Sequence, residues 1–162
     1  MNAGDLCTRN VVISPRGSTV TEAARLMRKF DVGNVVIVDD DNGARTPVGI
    51  VTDRDITVQL VAGQLDPDTL DVDEVMLREI VTVDEDTSIE EVASTMKSNG
   101  VRRTPVVNRQ GGLEGILAFD DIIDILAEQM MELAQLVQGQ QQRQKRTLQG
   151  DPSDTDQRPS SR

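Results

Sequence analysis

The chain contains two copies of one sequence pattern, and this repeat constrains the fold more than any other feature. Three segments of the first copy recur in order in the second: 18–27 as 87–96, 35–38 as 104–107, and 49–51 as 115–117. The first two pairs are offset by 69 residues (87 − 18 and 104 − 35), and the third is offset by 66 (115 − 49). The second copy therefore lacks three residues in one loop. Because three ordered matches are not expected by chance, each copy should be one structural unit.

Each copy predicts the same order of helices and strands. Thr19 with Glu22, and Ser88 with Glu91, have the spacing of a capping box, and an apolar stripe at helical spacing follows each pair. A second helix is expected after the third β-branched run of each copy. The predicted strands are 11–13, 34–38 and 47–51 in the first copy, and 80–83, 103–107 and 113–117 in the second. Each copy is thus a βαββα unit of the α+β class, with helices on one face of a small sheet.

The repeat also sets the expected boundaries of the units. We expect repeat 1 at 5–64, a linker at 65–71, repeat 2 at 72–130, a helical extension at 131–142 and a disordered polar tail at 143–162. Short lead helices are predicted before the repeats, at 4–7 and 73–76. One repeat is too short to cover both faces of its sheet. The two should therefore pack as a pseudo-two-fold pair, with a cleft lined by equivalent loops.

The charge of the chain argues against a nucleic-acid polymer as its partner. The net charge is −11, and residues 138–162 hold five basic and three acidic residues. Residues 1–137 then hold 17 − 5 = 12 basic and 28 − 3 = 25 acidic residues, a net charge of −13. Such a body repels phosphate polymers, and the scarcity of aromatic residues removes the stacking platforms of single-strand binders. A mononucleotide is compatible with this charge, because a few local donors can outweigh a distant field.

Other absences in the sequence exclude common kinds of site. The chain has one cysteine, Cys7, and no histidine, which excludes an internal disulfide, a Cys/His zinc site and a histidine-dependent catalytic couple. A magnesium site made of carboxylates stays conceivable, but no residue spacing indicates one, so we predict no metal site, no required cofactor and no catalytic residues. No signal peptide and no apolar run of membrane-spanning length are apparent, so we expect a cytoplasmic protein without a membrane partner.

The segment from Gly49 to Asp55 carries the strongest local motif. It lies where a buried strand is expected to meet a helix, so Thr52 is suited to the N-cap position. Free backbone N–H groups and the helix dipole at that point favour an anion such as phosphate. The carboxylate of Asp55 can accept hydrogen bonds from both hydroxyls of a ribose, and Gly49 would allow close approach of the backbone. An equally good interpretation from spacing alone is that Thr52 and the aspartates only cap the helix.

At this motif the sequence resembles the CBS-domain family, and specifically its paired form, the Bateman module. The family's pattern of Gly, a hydrophobic pair, Thr or Ser, two free positions and Asp stands here as Gly49, Ile50–Val51, Thr52 and Asp55. The segment 100–107 is similar to the family's second-strand signature. The resemblance covers roughly residues 5–129 and both copies. It implies binding of AMP, ADP, ATP or S-adenosylmethionine in one or both clefts between the repeats.

The resemblance also implies roles for individual residues. Asp55 would hold the ribose and Thr52 would lie near the phosphates. Arg102 and Arg103 match basic positions that face phosphate in some relatives, with Arg54 a weaker candidate, although such arginines are often solvated or paired with acids. Adenine would lie among aliphatic side chains, for which we expect Ile13 and Val36.

The second copy departs from the motif. It keeps Gly115 and an equivalent aspartate, Asp121, but Ala118 replaces the hydroxyl residue and Phe119 adds bulk beside the cleft. Asp121 could still hold a ribose. In the first copy, residues 33–34 replace the arginine pair found in the second. One good site built by both copies is therefore expected, rather than two.

The resemblance implies a stand-alone regulatory module that senses an adenosyl ligand and signals to an unknown protein partner. It also implies a homodimer, because two such pairs usually meet as a flat dimer in the family. Two other functions stay open. The first is a dimerisation scaffold with empty clefts, for which replacing Asp55 with alanine would leave every nucleotide affinity unchanged. A nucleotide hydrolase would need a positioned base and a metal, and the sequence offers only scattered carboxylates. The stripe along the last helix is expected to pack against a partner subunit or the body.

Overall fold

The computed structural model describes residues 1–41, 43–76 and 79–148. The chain divides into two compact units, Met1–Ile122 and Ile123–Arg162. Its helices are α1 (Ala3–Leu6), α2 (Val20–Phe30), α3 (Asp53–Asp55), α4 (Val72–Val75), α5 (Ile89–Asn99) and α6 (Phe119–Leu148). Its strands are β1 (Ile13–Pro15), β2 (Asn34–Asp41), β3 (Ala44–Thr52), β4 (Val83–Asp84), β5 (Arg103–Val107) and β6 (Leu113–Ala118). A π-helical segment, Ile56–Val61, continues α3.

Two three-stranded sheets form the first unit, one from each repeat. In both sheets the first strand is parallel to the second, and the second is antiparallel to the third. The register is the same at equivalent positions, since Val36 pairs with Ile50 in one sheet and Pro105 with Ile116 in the other. The predicted fold of two βαββα repeats is confirmed. The first strand of each repeat begins later than predicted, at Ile13 instead of 11 and at Val83 instead of 80, and in the second repeat it is also shorter.

Aliphatic side chains from α2 and α5 fill the core of each repeat, as their stripes predict. Ala23 and Met27 of α2 pack with buried residues of β2 and β3. Val92 and Met96 of α5 pack with buried residues of β5 and β6. Each amphipathic helix therefore stabilises its sheet by removing one apolar face from water.

The two predicted capping boxes differ in the structure. At α2, Thr19 Oγ1 accepts from the Glu22 amide at 3.2 Å, and Glu22 Oε2 accepts from the Thr19 amide at 2.8 Å. At α5, Ser88 Oγ accepts from the Glu91 amide at 3.3 Å, but the reciprocal bond to Glu91 is absent among the described contacts. The second box was therefore predicted wrongly in its reciprocal half, because spacing does not fix the rotamer of an exposed glutamate.

The two lead helices are exchanged between the repeats. α1 packs on the second repeat: Ala3 is buried in that core, and its amide donates to the carbonyl of Thr87 at 2.8 Å. α4 packs on the first repeat: Val72 is buried there, and its amide donates to the carbonyl of Ser18 at 2.8 Å. The predicted boundaries 5–64 and 72–130 therefore follow the sequence repeat but not the two cores. Each core is completed by the lead helix that precedes the other repeat.

The last helix is longer than predicted. α6 runs to Leu148, so residues 143–148 of the predicted disordered tail are helical. The rest of that tail, 149–162, lies outside the described residues. Within the described part of the chain, no helix has both the length and the apolar character needed to span a membrane.

Candidate functional site

A cleft of about 540 Å³ lies between the two repeats of the first unit. Its volume is typical of sites that take small molecules. Repeat 1 supplies the end of β3 and the start of α3, and repeat 2 supplies the segments that lead into β4 and β5. The lining residues are Ile50, Thr52, Asp53, Arg54, Asp55, Glu79, Ile80, Val81, Gly100, Val101, Arg102, Arg103 and Asp120.

Thr52 and Asp55 form a closed hydrogen-bonded pair at the wall of the cleft. Thr52 Oγ1 accepts from the Asp55 amide at 3.1 Å. In return, Asp55 Oδ2 accepts from the Thr52 amide at 2.9 Å and from the Thr52 hydroxyl at 2.7 Å. This is the capping interpretation that the spacing left open. The same bonds fix the orientation of the Asp55 carboxylate beside the cleft. Both bonds from Thr52 go to Oδ2.

Three arginines bring positive charge to the same cleft. Arg102 Nη2 forms an exposed ion pair with Asp120 Oδ1 at 2.8 Å. Within residues 1–41, 43–76 and 79–148, neither Arg54 nor Arg103 has an ion-pair partner. Arg103 is half-buried at the start of β5, whereas Arg54 is exposed. Arg103 is therefore the lining cation best placed to meet an anion at little cost in existing contacts.

The apolar wall of the cleft is not the one expected from the sequence. Ile13 and Val36 pair with each other across β1 and β2, and neither lines the cleft. The aliphatic lining comes instead from Ile80 and Val81 of repeat 2, together with Ile50 of β3 and Val101, which lies just before β5. The physical reason is that the start of α3 faces the other repeat, so repeat 2 rather than repeat 1 provides the opposite wall.

Gly49 also has a different role from the expected one. A Cβ at Gly49 would meet the side chain of Met76, just after α4, and a Cβ at the equivalent Gly115 would meet Cys7, just after α1. Gly49 is absent from the cleft lining. The two motif glycines thus make room for the exchanged lead helices rather than for a ligand. Burial at this contact raises the pKa of the Cys7 thiol.

The second copy of the motif caps its own helix. Asp121 Oδ2 accepts from the Ala118 amide at 3.1 Å, where Asp55 makes the equivalent bond in repeat 1. Ala118 has no hydroxyl to add the second bond. Asp121 does not line the cleft described above, whereas its neighbour Asp120 does. Five of the nine predicted site residues therefore meet in one cleft: Thr52, Arg54, Asp55, Arg102 and Arg103.

Sequence reasoning missed the aliphatic residues of the cleft, although the repeat contained a usable signal. The sequence pattern predicts a strand over 80–83, but β4 begins only at Val83, which leaves Ile80 and Val81 outside the sheet at its edge. Their equivalents in repeat 1, at the offset of 69 residues, are Val11 and Val12. An apolar pair therefore recurs just before the first strand of each repeat. This recurrence is the sequence signal that Ile80 and Val81 line the space between the repeats.

Comparisons with known sequences agree with the repeat. A sequence profile of the CBS domain matches residues 3–62 and 72–128. Hypoxic response protein 1 of Mycobacterium tuberculosis is 37% identical over 128 residues, which cover 79% of this chain and 82% of that protein. An uncharacterized protein of Methanopyrus kandleri is 32% identical over 125 residues, covering 77% of this chain and 62% of that protein. This chain therefore spans less than two thirds of the length of that relative.

Solved structures of other proteins also have a similar fold. A crystal structure of hypoxic response protein I with two coordinated zinc ions is 34% identical, with a TM-score of 0.66 over 76% of this chain and 98% of that one. The CBS domain pair of protein MJ0100, in complex with 5′-methylthioadenosine and S-adenosylmethionine, is 25% identical, with a TM-score of 0.67 over 78% of this chain and 99% of that one. A hexameric CBS-CP12 protein from bloom-forming cyanobacteria is 30% identical, with a TM-score of 0.67 over 76% and 69%.

Proposed function

This chain belongs to the CBS domain family, and we propose that it is a non-catalytic regulatory module that binds an adenosine-containing ligand in the cleft between its repeats. AMP, ADP, ATP and S-adenosylmethionine are the candidate ligands, and none of them is a required cofactor. The supporting observation is that an acceptor, cations and an aliphatic wall converge on one cleft from two repeats. A solved relative with this fold holds two adenosyl compounds.

Asp55 is the proposed acceptor for the ribose. Its Oδ2 is held by the amide and hydroxyl of Thr52, which fixes the orientation of the carboxylate before a ligand arrives. A carboxylate accepts well from paired hydroxyls, and hydrogen bonds to a charged group are among the stronger ones. A fixed carboxylate also loses less conformational entropy when the ligand binds.

The phosphates of a nucleotide would lie towards the arginines. Arg103 is half-buried and free of an ion-pair partner among the described residues, and Arg54 and Arg102 lie on the same cleft. Because Arg102 is already paired with Asp120, it would have to exchange that carboxylate for a phosphate. We therefore assign the main phosphate contact to Arg103.

The adenine ring would pack against Ile80 and Val81. Both are half-buried residues of the segment before β4, and they replace the predicted Ile13 and Val36 in this role. Aliphatic side chains cover the faces of a planar base and remove apolar surface from water. Because the base and the ribose would contact different repeats, binding would hold the two repeats together and could alter the surface offered to a protein partner.

A homodimer is the second part of the proposal. One relative of this fold is described as hexameric, so self-association occurs among similar proteins. Sedimentation equilibrium should give a mass of two subunits at micromolar concentrations. A single-subunit mass at high concentration would contradict it.

A thermal melt with AMP, ADP, ATP, S-adenosylmethionine and GTP, each at millimolar concentration, tests the ligand. A ligand at about 100 times its Kd stabilises the native state by roughly 2.7 kcal/mol, which raises the melting midpoint of a chain this size by several degrees. We expect a rise with at least one adenosyl compound and none with GTP.

A pair of alanine variants provides the control for this melt. Asp55 and Asp121 both cap the helix that follows the third strand of a repeat, but only Asp55 lines the cleft. Asp55→Ala should abolish the ligand-induced rise, and Asp121→Ala should keep it although it also loses a cap. If no compound raises the midpoint of the unmodified protein, a ligand-independent dimerisation scaffold becomes the better account.

A further inference from the structure

The helical segment of the second unit carries a row of exposed apolar side chains. Seven large hydrophobic residues between 123 and 137 are exposed in this helix: Ile123, Leu126, Met130, Met131, Leu133, Leu136 and Val137. A water-exposed apolar surface of this density on one helix is typical of an interaction surface rather than of a solvated helix.

Five of these residues have the spacing of a coiled-coil seam. Ile123, Leu126, Met130, Leu133 and Val137 follow one another at intervals of three, four, three and four residues. This is the 3.5-residue period of heptad positions a and d, which brings all five to one narrow face of the helix. We name this set of five residues the α6 seam.

The kinds of residue along the α6 seam favour a pair of parallel helices. The a positions are Ile123, Met130 and Val137, and the d positions are Leu126 and Leu133. Two of the three a residues, Ile123 and Val137, are β-branched, and the third, Met130, is not. In parallel coiled coils, β-branched residues at a combined with Leu at d favour two strands over three or four. The seam therefore suits a parallel pair of helices, and the direction of pairing is what disulfide trapping at Val137 measures.

The charges beside the α6 seam allow a second copy of this chain as the partner. The four flanking e and g positions from 127 to 136 are uncharged: Ala127, Gln129, Ala134 and Leu136. The acidic residues Asp124, Glu128 and Glu132 fall at positions b, f and c, away from the contact. Two copies of a chain with net charge −11 can therefore approach along this face without opposing carboxylates at its edges.

We propose that the α6 seam, residues 123–137, pairs in parallel with the same segment of a second copy of this chain. The contact is isologous, because each residue of the seam packs against its own equivalent in the other copy. It does not depend on the ligand cleft, so it stands or fails separately from the proposed nucleotide binding. It supplies a surface for self-association whose residues are outside both sheets.

Disulfide trapping at one end of the seam tests both the contact and its direction. In a full-length Cys7→Ser background, which removes the one native thiol, Val137→Cys places a sulfur at the last a position. Parallel pairing brings the two sulfurs together, whereas antiparallel pairing puts them at opposite ends of the seam. We expect Val137→Cys to give a covalent dimer on mild oxidation at least tenfold faster than Met131→Cys, whose position b lies off the seam. Equal rates would overturn the proposal.

Charge substitutions on the same helix give an independent measurement. Leu133 and Met131 are each 62% exposed, but only Leu133 lies on the seam. Sedimentation equilibrium should show that Leu133→Glu raises the Kd of self-association at least tenfold over that of Met131→Glu, which adds the same charge two residues away. Kd values within twofold of each other would overturn the proposal. Any dimer still observed would then form through the CBS repeats or through another helix.

Discussion

At the scale of the residue, Arg103 should decide which adenosyl ligands bind tightly. Replacing it with alanine removes a charge-assisted hydrogen bond of about 1.5–3 kcal/mol, which corresponds to roughly 10–100-fold in Kd for ATP. Adenosine lacks phosphate, so its affinity should be unchanged. Isothermal titration calorimetry with both compounds measures the difference. Arg28→Ala, in the last turn of α2, is the matched control and should affect neither ligand. An equal loss for adenosine would contradict a phosphate role.

Cys7 gives a second prediction at this scale. Burial raises the pKa of its thiol, because the folded chain disfavours the thiolate. The protonated form is therefore stabilised by folding; this contribution is complete below the pKa of the unfolded chain and is lost as pH rises through the folded pKa. Iodoacetamide labelling across pH should show a midpoint higher for the native protein than for the protein in urea. A midpoint at or below the unfolded one would contradict the burial of Cys7.

At the scale of the element, the packing of the lead helices makes the two motif glycines unequal. A Cβ at Gly115 would lie 3.0 Å from the carbonyl oxygen of Thr8, which is backbone and cannot move without shifting the chain after α1. The three atoms nearest to a Cβ at Gly49 all belong to the flexible side chain of Met76. Gly115→Ala should lower the free energy of unfolding by about 1–3 kcal/mol, and Gly49→Ala by less.

Urea denaturation followed by circular dichroism measures both losses. Gly139→Ala is the control, because a Cβ there meets no atom within 4 Å and alanine favours the helix. It should leave stability unchanged or raise it. If Gly49→Ala were the more destabilising of the two, the backbone at Thr8 would give way to a Cβ at Gly115 more easily than the structure indicates.

The elements themselves were largely predictable from the sequence, and their partners were not. Capping spacing and apolar stripes located α2 and α5, because those signals arise within one helix. The exchange of α1 and α4 could not be read in the same way, since a four-residue helix with one or two apolar side chains fits either core equally well. Only the complete packing decides that Ala3 belongs with repeat 2 and Val72 with repeat 1.

At the scale of the whole molecule, the pseudo-two-fold relation explains which part of the site was predictable. The motif around Thr52 and Asp55 is local, and the sequence identified it. The opposite wall belongs to another repeat, so its residues depend on how two sheets meet. The repeat marks Ile80 and Val81 as recurring apolar residues, but only the packing of the two repeats places them opposite the start of α3. The same relation implies a second, equivalent position built from Asp121 and the segments at 11–12 and 33–34.

This second position lacks two of the groups that the first one has. Ala118 stands where repeat 1 has Thr52, and Asn34 stands where repeat 2 has Arg103. We therefore expect calorimetry to give one ATP per chain. Replacing both residues, as Asn34→Arg with Ala118→Thr, restores the hydroxyl and the cation and should raise the stoichiometry towards two. Asn34→Arg with Ala118→Val restores the cation without the hydroxyl and should bind less at the new position. A stoichiometry of two in the unmodified protein would show that Asp121 and its aliphatic wall suffice without those groups.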